Sequence, residues 1–406
     1  MLARTLRCNV FHRLAGVRSK ALKWPLAPFV HRHTPLYGDG VQTLEPRLPR
    51  GPEGITADWL THALRGRFPD LAVERLDVVE VIPGTATKIR VRARYTNTPG
   101  GHPPESLCIK GGFDRRWHRK GAAAIVKRLG LMDVGRAYQL EAAFYDRLAP
   151  TMDAALPNCW FAAADGESGQ GIVILDDLVE AGVTFGDPAE PWPVDRVAAA
   201  LEVQAAWHAA TMGKPPSAYP WLPRKSIIGE LTPILFSPLH WNTHFRFPLS
   251  PTLPSPLNDR RLVRAALTRM WERHAREAVC LTHGDAHVGN TYIAKDGQPT
   301  FFDWQAVCLG PPLDDVAYFM TGALEPADRR ASERDLLRHY LRVLAAHSVT
   351  APSQDDAWNS YRCYSVHGIL WAVTPPMMQS RINVRAMAER HAAAIIELNG
   401  LNAVSE

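Results

Sequence analysis

The residues best suited to chemistry lie between positions 283 and 304. HGDAHVGN runs from His283 to Asn290, and after a short apolar stretch FFDW runs from Phe301 to Trp304. The stretch holds a carboxylate (Asp285), a carboxamide five positions on (Asn290) and a second carboxylate (Asp303) ending an apolar run. Phosphoryl transfer from a nucleotide needs a base that orients the acceptor hydroxyl and oxygen ligands that hold Mg²⁺ across the phosphates. Asp285 fits the base, and Asn290 and Asp303 fit the metal ligands. A hard cation that keeps several waters needs only one or two protein carboxylates, so no Cys or His ligand is required.

A metallohydrolase competes for the same residues. His283, Asp285 and His287 alternate, and on an extended segment alternation puts three side chains on one face. A zinc hydrolase needs further ligands from elsewhere, however, and it leaves Asn290 idle. His283 reads better as a structural histidine that hydrogen-bonds backbone and holds the loop.

At these residues the chain resembles the aminoglycoside phosphotransferase, choline kinase and ecdysteroid-kinase-like group, small-molecule kinases that share the protein-kinase fold. The group has HGD where protein kinases have HRD, and DW or DFQ where they have DFG. Here the second motif is FDWQ, Phe302 to Gln305, and GPPLDDVAYF, Gly310 to Phe319, matches the pattern that follows. The resemblance implies an α+β chain of two lobes, a small β-rich N-lobe and a larger, mainly helical C-lobe, with ATP and Mg²⁺ between them. It also implies that Asp315 braces the catalytic loop.

A kinase must carry a phosphate loop, a strand lysine and a helix glutamate in the N-terminal half. Val78 to Tyr95 reads as strand, turn, strand, with Pro83-Gly84 as the turn signal. Gly84 to Thr87 would then lie over the phosphates, using backbone N–H groups and the Thr85 and Thr87 hydroxyls. With one glycine the turn lacks the protein-kinase GxGxxG. In Ser106 to Phe113, Lys110 follows alternating apolar residues and is the sole lysine between Lys88 and Lys120. With 9 lysines against 37 arginines in the chain, general composition does not explain a lysine there. A compact ammonium suits the α- and β-phosphates and needs a carboxylate to hold it. Glu141, in the helical stretch Ala137 to Pro150, is the natural partner.

The lobe junction falls at Gly171 to Gly182, an apolar run followed by acidic residues and a glycine. Leu175, Asp176, Asp177 and Leu178 form the expected hinge, where backbone groups recognise adenine and the two acidic side chains are solvated or cap a helix. Trp192 to Met212 reads as a helix with Val194, Val197, Leu201, Ala205 and His208 on a buried stripe and Trp207 beside it. Lys214 to Pro256 shows weak periodicity, a sign of loops or short helices. The resemblance places the acceptor pocket there, with Trp241, His244 and Phe245 as candidates. Pro311-Pro312 precede a helix that Asp314 and Asp315 begin, an arrangement the helix dipole favours. Further helices are expected near Ala331 to Ala346, Asp355 to Val373 and Val384 to Leu398. Tyr361, Tyr364, His367 and Trp371 recur in them at helical spacing, and core packing explains them better than an aromatic cage for a cationic acceptor.

At 406 residues and 46% hydrophobic, the chain can bury a core in each lobe. No apolar run of membrane-spanning length occurs. Six cysteines are scattered without CxxC pairs, which gives neither a zinc signature nor a disulfide framework. The formal charge of +5 is more than accounted for by the first 38 residues, which hold five arginines, two lysines and no acid. Residues 1–45 therefore read as a basic extension, disordered, translated from upstream of the true start, or mitochondrial in targeting. The arginine bias suggests a GC-rich genome and a cytoplasmic enzyme. The remainder is nearly neutral, which speaks against a nucleic-acid partner. The expected division is 46–178 for the nucleotide lobe and 179–406 for the helical lobe with catalytic loop and acceptor pocket. The expected partner is a small-molecule hydroxyl acceptor, and the oligomeric state is left open. A kinase-fold protein that binds without transferring phosphate is the alternative.

Overall fold

Ile89, Val91 and Ala93 alternate with Lys88, Arg90 and Arg92, so a strand through them must be apolar on one side and cationic on the other. A computed structural model of the chain describes residues 47–406 apart from 97–100, 114–133, 248–249, 278 and 377; the basic extension lies outside the described residues. Strand β2 (Thr87–Tyr95) buries the apolar set fully. It pairs with β1 (Val73–Ile82) and β3 (Ser106–Gly111) in an antiparallel sheet completed by β4 (Cys159–Asp165) and β5 (Gln170–Asp176), in the order β1-β2-β3-β5-β4.

The two faces of this sheet are covered differently. Helix α1 (Ala57–Leu64), capped by Thr56 accepting from Trp59 N, packs Trp59, Leu60 and Leu64 against Ile89, Ile109 and Ile174. Val173 and Leu175, which alternate with Ile172 and Ile174, join instead the large core that includes Leu140 and Phe144 of α2 (Val134–Arg147). Gly171 lets α2 approach, since a Cβ there would stand 2.2 Å from the Tyr138 carbonyl oxygen.

The second lobe is mainly helical: α3 (Val194–Thr211), α4 (Arg260–Arg276), α5 (Pro312–Ala323), α6 (Pro326–Ala346), α7 (Gln354–Tyr364) and α8 (Arg381–Glu397). Every residue of α5 is buried, as an apolar core helix requires. Val197, Leu201, Ala205 and His208 form the expected buried stripe of α3, while Val194 is only half-buried. The helix expected over Asp355 to Val373 instead divides at Tyr364, and Ser365–Val373 winds as a tighter 3-10 helix. Gly368 of that turn lies so close to His391 that a Cβ would stand 2.0 Å from Nδ1. The described residues of Lys214 to Pro256 contain one 3-10 turn and three short helices, Ile227–Glu230, Thr232–Leu235 and Pro238–His244.

Short strands frame the loops between α4 and α5. β7 (Cys280–Thr282) pairs with β10 (Cys308–Gly310), while β8 (Thr291–Ile293) lies between β6 (Thr184–Phe185) and β9 (Pro299–Phe301). The candidate chemistry sits where these ladders end, at His283 to Asn290 and at Phe302-Asp303. Among the described residues no helix is long and apolar enough to cross a membrane.

Candidate active site

The loop after β7 turns at Gly284, whose φ is +76°. A Cβ there would stand 2.3 Å from the Ala306 carbonyl oxygen, so only glycine fits between His283 and Asp285. Asp315, in the first turn of α5, accepts from His283 N at 2.6 Å and Gly284 N at 3.0 Å, and His208 Nε2 lies 3.3 Å from the same carboxylate. His208 in turn meets the Tyr340 hydroxyl at 2.9 Å through Nδ1. His283 donates from Nε2 to Phe302 O at 3.0 Å and accepts at Nδ1 from Asp285 N at 3.3 Å, and burial pushes its pKa down. It is a neutral imidazole that ties the loop to the segment carrying Asp303.

Asp285 is held from several sides. Asn290 Nδ2 donates to its backbone oxygen at 2.9 Å and to Oδ2 at 3.2 Å, the Tyr318 hydroxyl donates to Oδ1 at 3.4 Å, and His287 Nε2 stands 3.7 Å from Oδ2. Burial alone would raise the Asp285 pKa, but His287 beside it outweighs burial and holds the carboxyl below its ordinary value. Asp285 is therefore ionised at neutral pH. Asn290, whose amide nitrogen is committed to Asp285, has its Oδ1 without a donor among the described residues.

Asp303 follows β9 in a left-handed backbone conformation, φ 69° and ψ 59°, which Asp tolerates better than most residues. Its Oδ1 accepts from Lys110 Nζ at 2.8 Å, and Lys110 Nζ also donates to Glu141 Oε1 at 2.7 Å. One ammonium thus joins β3, α2 and the loop after β9, across 31 and 193 residues of chain. Burial would lower the Lys110 pKa, yet Asp303 and Glu141 together raise it. Burial pushes Glu141 up while Lys110 pulls it down; Asp303 falls below the ordinary carboxylate range because Lys110 and Lys88 outweigh burial.

The remaining expected residues are dispersed around this centre. Gly84 and Thr85 lie in the turn between β1 and β2, where the Tyr138 hydroxyl donates to Thr85 O. Thr87 opens β2 opposite Gly111, and its buried hydroxyl has no partner among the described residues. Leu175 and Asp176 end β5, with Asp176 accepting from Asn158 Nδ2 at 2.7 Å and Trp160 Nε1 at 2.8 Å. Asp177 is buried rather than solvated, because Arg90 Nε holds it at 2.9 Å, and it caps the turn through Val179 N and Glu180 N. Leu178 follows in that turn. Trp241, Phe245 and Phe236 pack together, with ring centroids 4.6 and 5.6 Å from Trp241, and His244 is buried beside Phe245. Tyr361, Tyr364, His367 and Trp371 are all buried.

Two neighbours of Asp285 escape a reading of the sequence. Tyr318 is in the DVAYF motif without a role, although its position three residues beyond Asp315 puts both on one face of α5. His287 looks like a zinc ligand by alternation, yet the same alternation seats it beside Asp285. Among the described residues no three or more His, Cys, Asp or Glu side chains are grouped to hold a metal ion.

Solved structures similar to the chain include an ethanolamine kinase from Plasmodium vivax, 13% identical over 80% of this chain and 84% of that one, with a TM-score of 0.46. A macrolide 2'-phosphotransferase from Brachybacterium faecium is 18% identical over 83% and 98%, TM-score 0.37, and a choline kinase from Streptococcus pneumoniae is 13% identical over 80% and 94%, TM-score 0.39. No curated protein sequence matches the chain. The family model APH, described as the phosphotransferase enzyme family, matches residues 109–352, which take in Lys110, Glu141, Asp285, Asn290, Asp303 and Asp315, and the chain belongs to that family.

Proposed function

We propose that this protein transfers the γ-phosphate of ATP to a hydroxyl group of a small molecule. The observation that carries the reading is the Lys110 ammonium, buried and shared between Glu141 and Asp303. A salt bridge buried this deeply is weak evidence for stability alone, since desolvation offsets much of its attraction. It serves a ligand instead: Glu141 orients Lys110 toward the α- and β-phosphates, and the contact with Asp303 brings the two lobes into register. Asp285, ionised and gripped by Asn290 and Tyr318, accepts the hydrogen bond of the incoming hydroxyl and aims its oxygen at the γ-phosphorus. The new O–P bond forms as the bond from the γ-phosphorus to the bridging oxygen breaks, ADP leaves, and the hydroxyl proton passes through Asp285 to solvent. Such catalysis is mainly positioning and charge neutralisation.

Asn290 and Asp303 fit a magnesium ion by donor chemistry, since both supply hard oxygens and Asn290 Oδ1 has no protein donor among the described residues. Mg²⁺ bound to them would neutralise charge on the phosphates. The backbone of Leu175 to Leu178 supplies the adenine edge in this reading, with Gly84, Thr85 and Thr87 over the phosphates. The acceptor approaches from the side of Trp241 and Phe245. The short helix that carries Trp241 is tied to the 3-10 helix by His240 Nε2 at 2.7 Å from Val373 O, and Trp371 of that 3-10 helix meets His287 edge-on at 5.0 Å, next to Asp285.

The deciding experiment measures ATP and GTP consumption by the purified protein with Mg²⁺ against pooled hydroxyl-bearing metabolites and antibiotics, beside Asp285→Asn. An acceptor-dependent signal lost in the variant supports the kinase and names the acceptor class. Nucleotide binding without turnover across the panel would favour a binding protein built on the same fold.

A further inference from the structure

Lys88 is the one cation on the inner part of the sheet's face opposite α1 that makes no direct ion pair among the described residues. It shares a face of β2 with Arg90, Arg92 and Arg94. Arg90 is bound by Glu80 and Asp177, each at 2.9 Å, and Arg92 by Glu180 at 3.0 Å, while Arg94 is exposed near the strand's outer end. Lys88 is half-buried, and its cross-strand neighbours are Ile82 on β1 and Lys110 on β3.

That last pairing, taken alone, sets two like charges directly opposite one another. Directly opposed residues of an antiparallel pair hold their Cβ atoms roughly 4.5–5.5 Å apart, and like charges there destabilise the sheet. Lys110 is already saturated by Glu141 and Asp303, the same two carboxylates that feel the charge of Lys88. A second ammonium beside a saturated one is an arrangement that an anionic ligand would complete. The adjoining turn increases the need, because it has a single glycine.

We propose that Lys88 is a second phosphate-binding residue, reaching the nucleotide's phosphates from β2 while Lys110 reaches them from β3. The proposal rests on the nucleotide-binding reading above. A compact, mobile ammonium suits a phosphate chain whose charge exceeds what one paired lysine can balance.

The test compares ATP with adenosine, which lacks phosphates, in titrations of the full-length protein and its Lys88→Met and Lys88→Arg variants. Lys88→Met is expected to weaken ATP binding about tenfold, the scale of one charge-assisted contact, and to leave adenosine binding unchanged. Lys88→Arg retains most of the affinity. The melting temperature of ligand-free Lys88→Met stays level or rises as the repulsion disappears, and in turnover the KM for ATP rises while kcat changes less than about threefold. Equal ATP affinity in wild type and Lys88→Met would overturn the proposal, and so would equal losses for ATP and adenosine. A wild-type protein that binds neither ligand would remove the nucleotide reading itself, and this proposal with it.

Discussion

The loop from His283 to Asn290 and the segment from Lys214 to Pro256 both lack long regular elements, yet they are held by different forces. Between His283 and Asn290 no side-chain polar atom sealed from solvent lacks a partner, Asn290 Oδ1 being reached by solvent, and Asp315 receives two of the loop's own N–H groups. In the other segment Thr232 Oγ1 and His244 Nε2 are buried with no partner among the described residues, while Leu239 is 80% exposed and Phe247 46%. Its short helices are closed by aromatic packing and by Ser226 and Ser237 caps. Polar pairing fixes one geometry, whereas packing of this kind tolerates several.

The largest effect belongs to the paired side. Asp303→Asn keeps a residue that accepts the left-handed backbone but removes the charge facing Lys110, so turnover should fall about 10³-fold, the scale of losing preorganised charge in a reacting site. Circular dichroism and the melting temperature should stay near wild type. Undiminished ATP-dependent turnover in this variant would take Asp303 out of the mechanism.

Stability separates the two regions next. Asp315→Ala strands two buried backbone donors and the ring of His208, each stranded group costing about 1–3 kcal/mol, so unfolding in urea should show a loss of about 3–5 kcal/mol. Thr232→Val removes a hydroxyl that already lacks a partner and should be neutral or stabilising. If both substitutions cost the same, the contrast between a paired and a packed region fails.

What could be read from sequence follows the same line. Asp285, Asn290 and Asp303 lie close in the chain, and each has a side chain that only certain chemistry needs, so their types and spacing point to one site. The strand with Lys110 and the buried stripe of α3 follow from periodicity. The burial of Asp177 depends on Arg90, 87 residues away, and the pairing of Lys88 with Lys110 depends on strand register. Neither leaves a local signal. The break at Tyr364 is equally hidden, because the turn that follows it packs Gly368 against His391 of another helix, a contact with no local signal. Lys214 to Pro256 stayed illegible for the reason that distinguishes it here, since packing among Phe236, Trp241 and Phe245 has no fixed spacing.

The smallest effect tests whether that packed segment is dry. Burial, reinforced by His240 and Arg381, pushes the His244 pKa down from 6.5 to about 4. The folded state therefore favours the neutral ring, while the unfolded chain takes up a proton as pH falls through about 6.5. The contribution of His244 to stability is intact above that value, is lost progressively down to about pH 4, and changes no further below it. His208, His283 and His391 are lowered as well and remain in any His244 variant. His244→Gln should therefore show a shallower drop in melting temperature between pH 7 and pH 4.5 than wild type, with proton uptake on unfolding reduced by up to about one per molecule. Identical pH profiles would mean that water reaches His244 in the folded protein. The segment would then be loose as well as unpaired, and under the acceptor role proposed for it selectivity would rest on side chains that reorganise around each ligand.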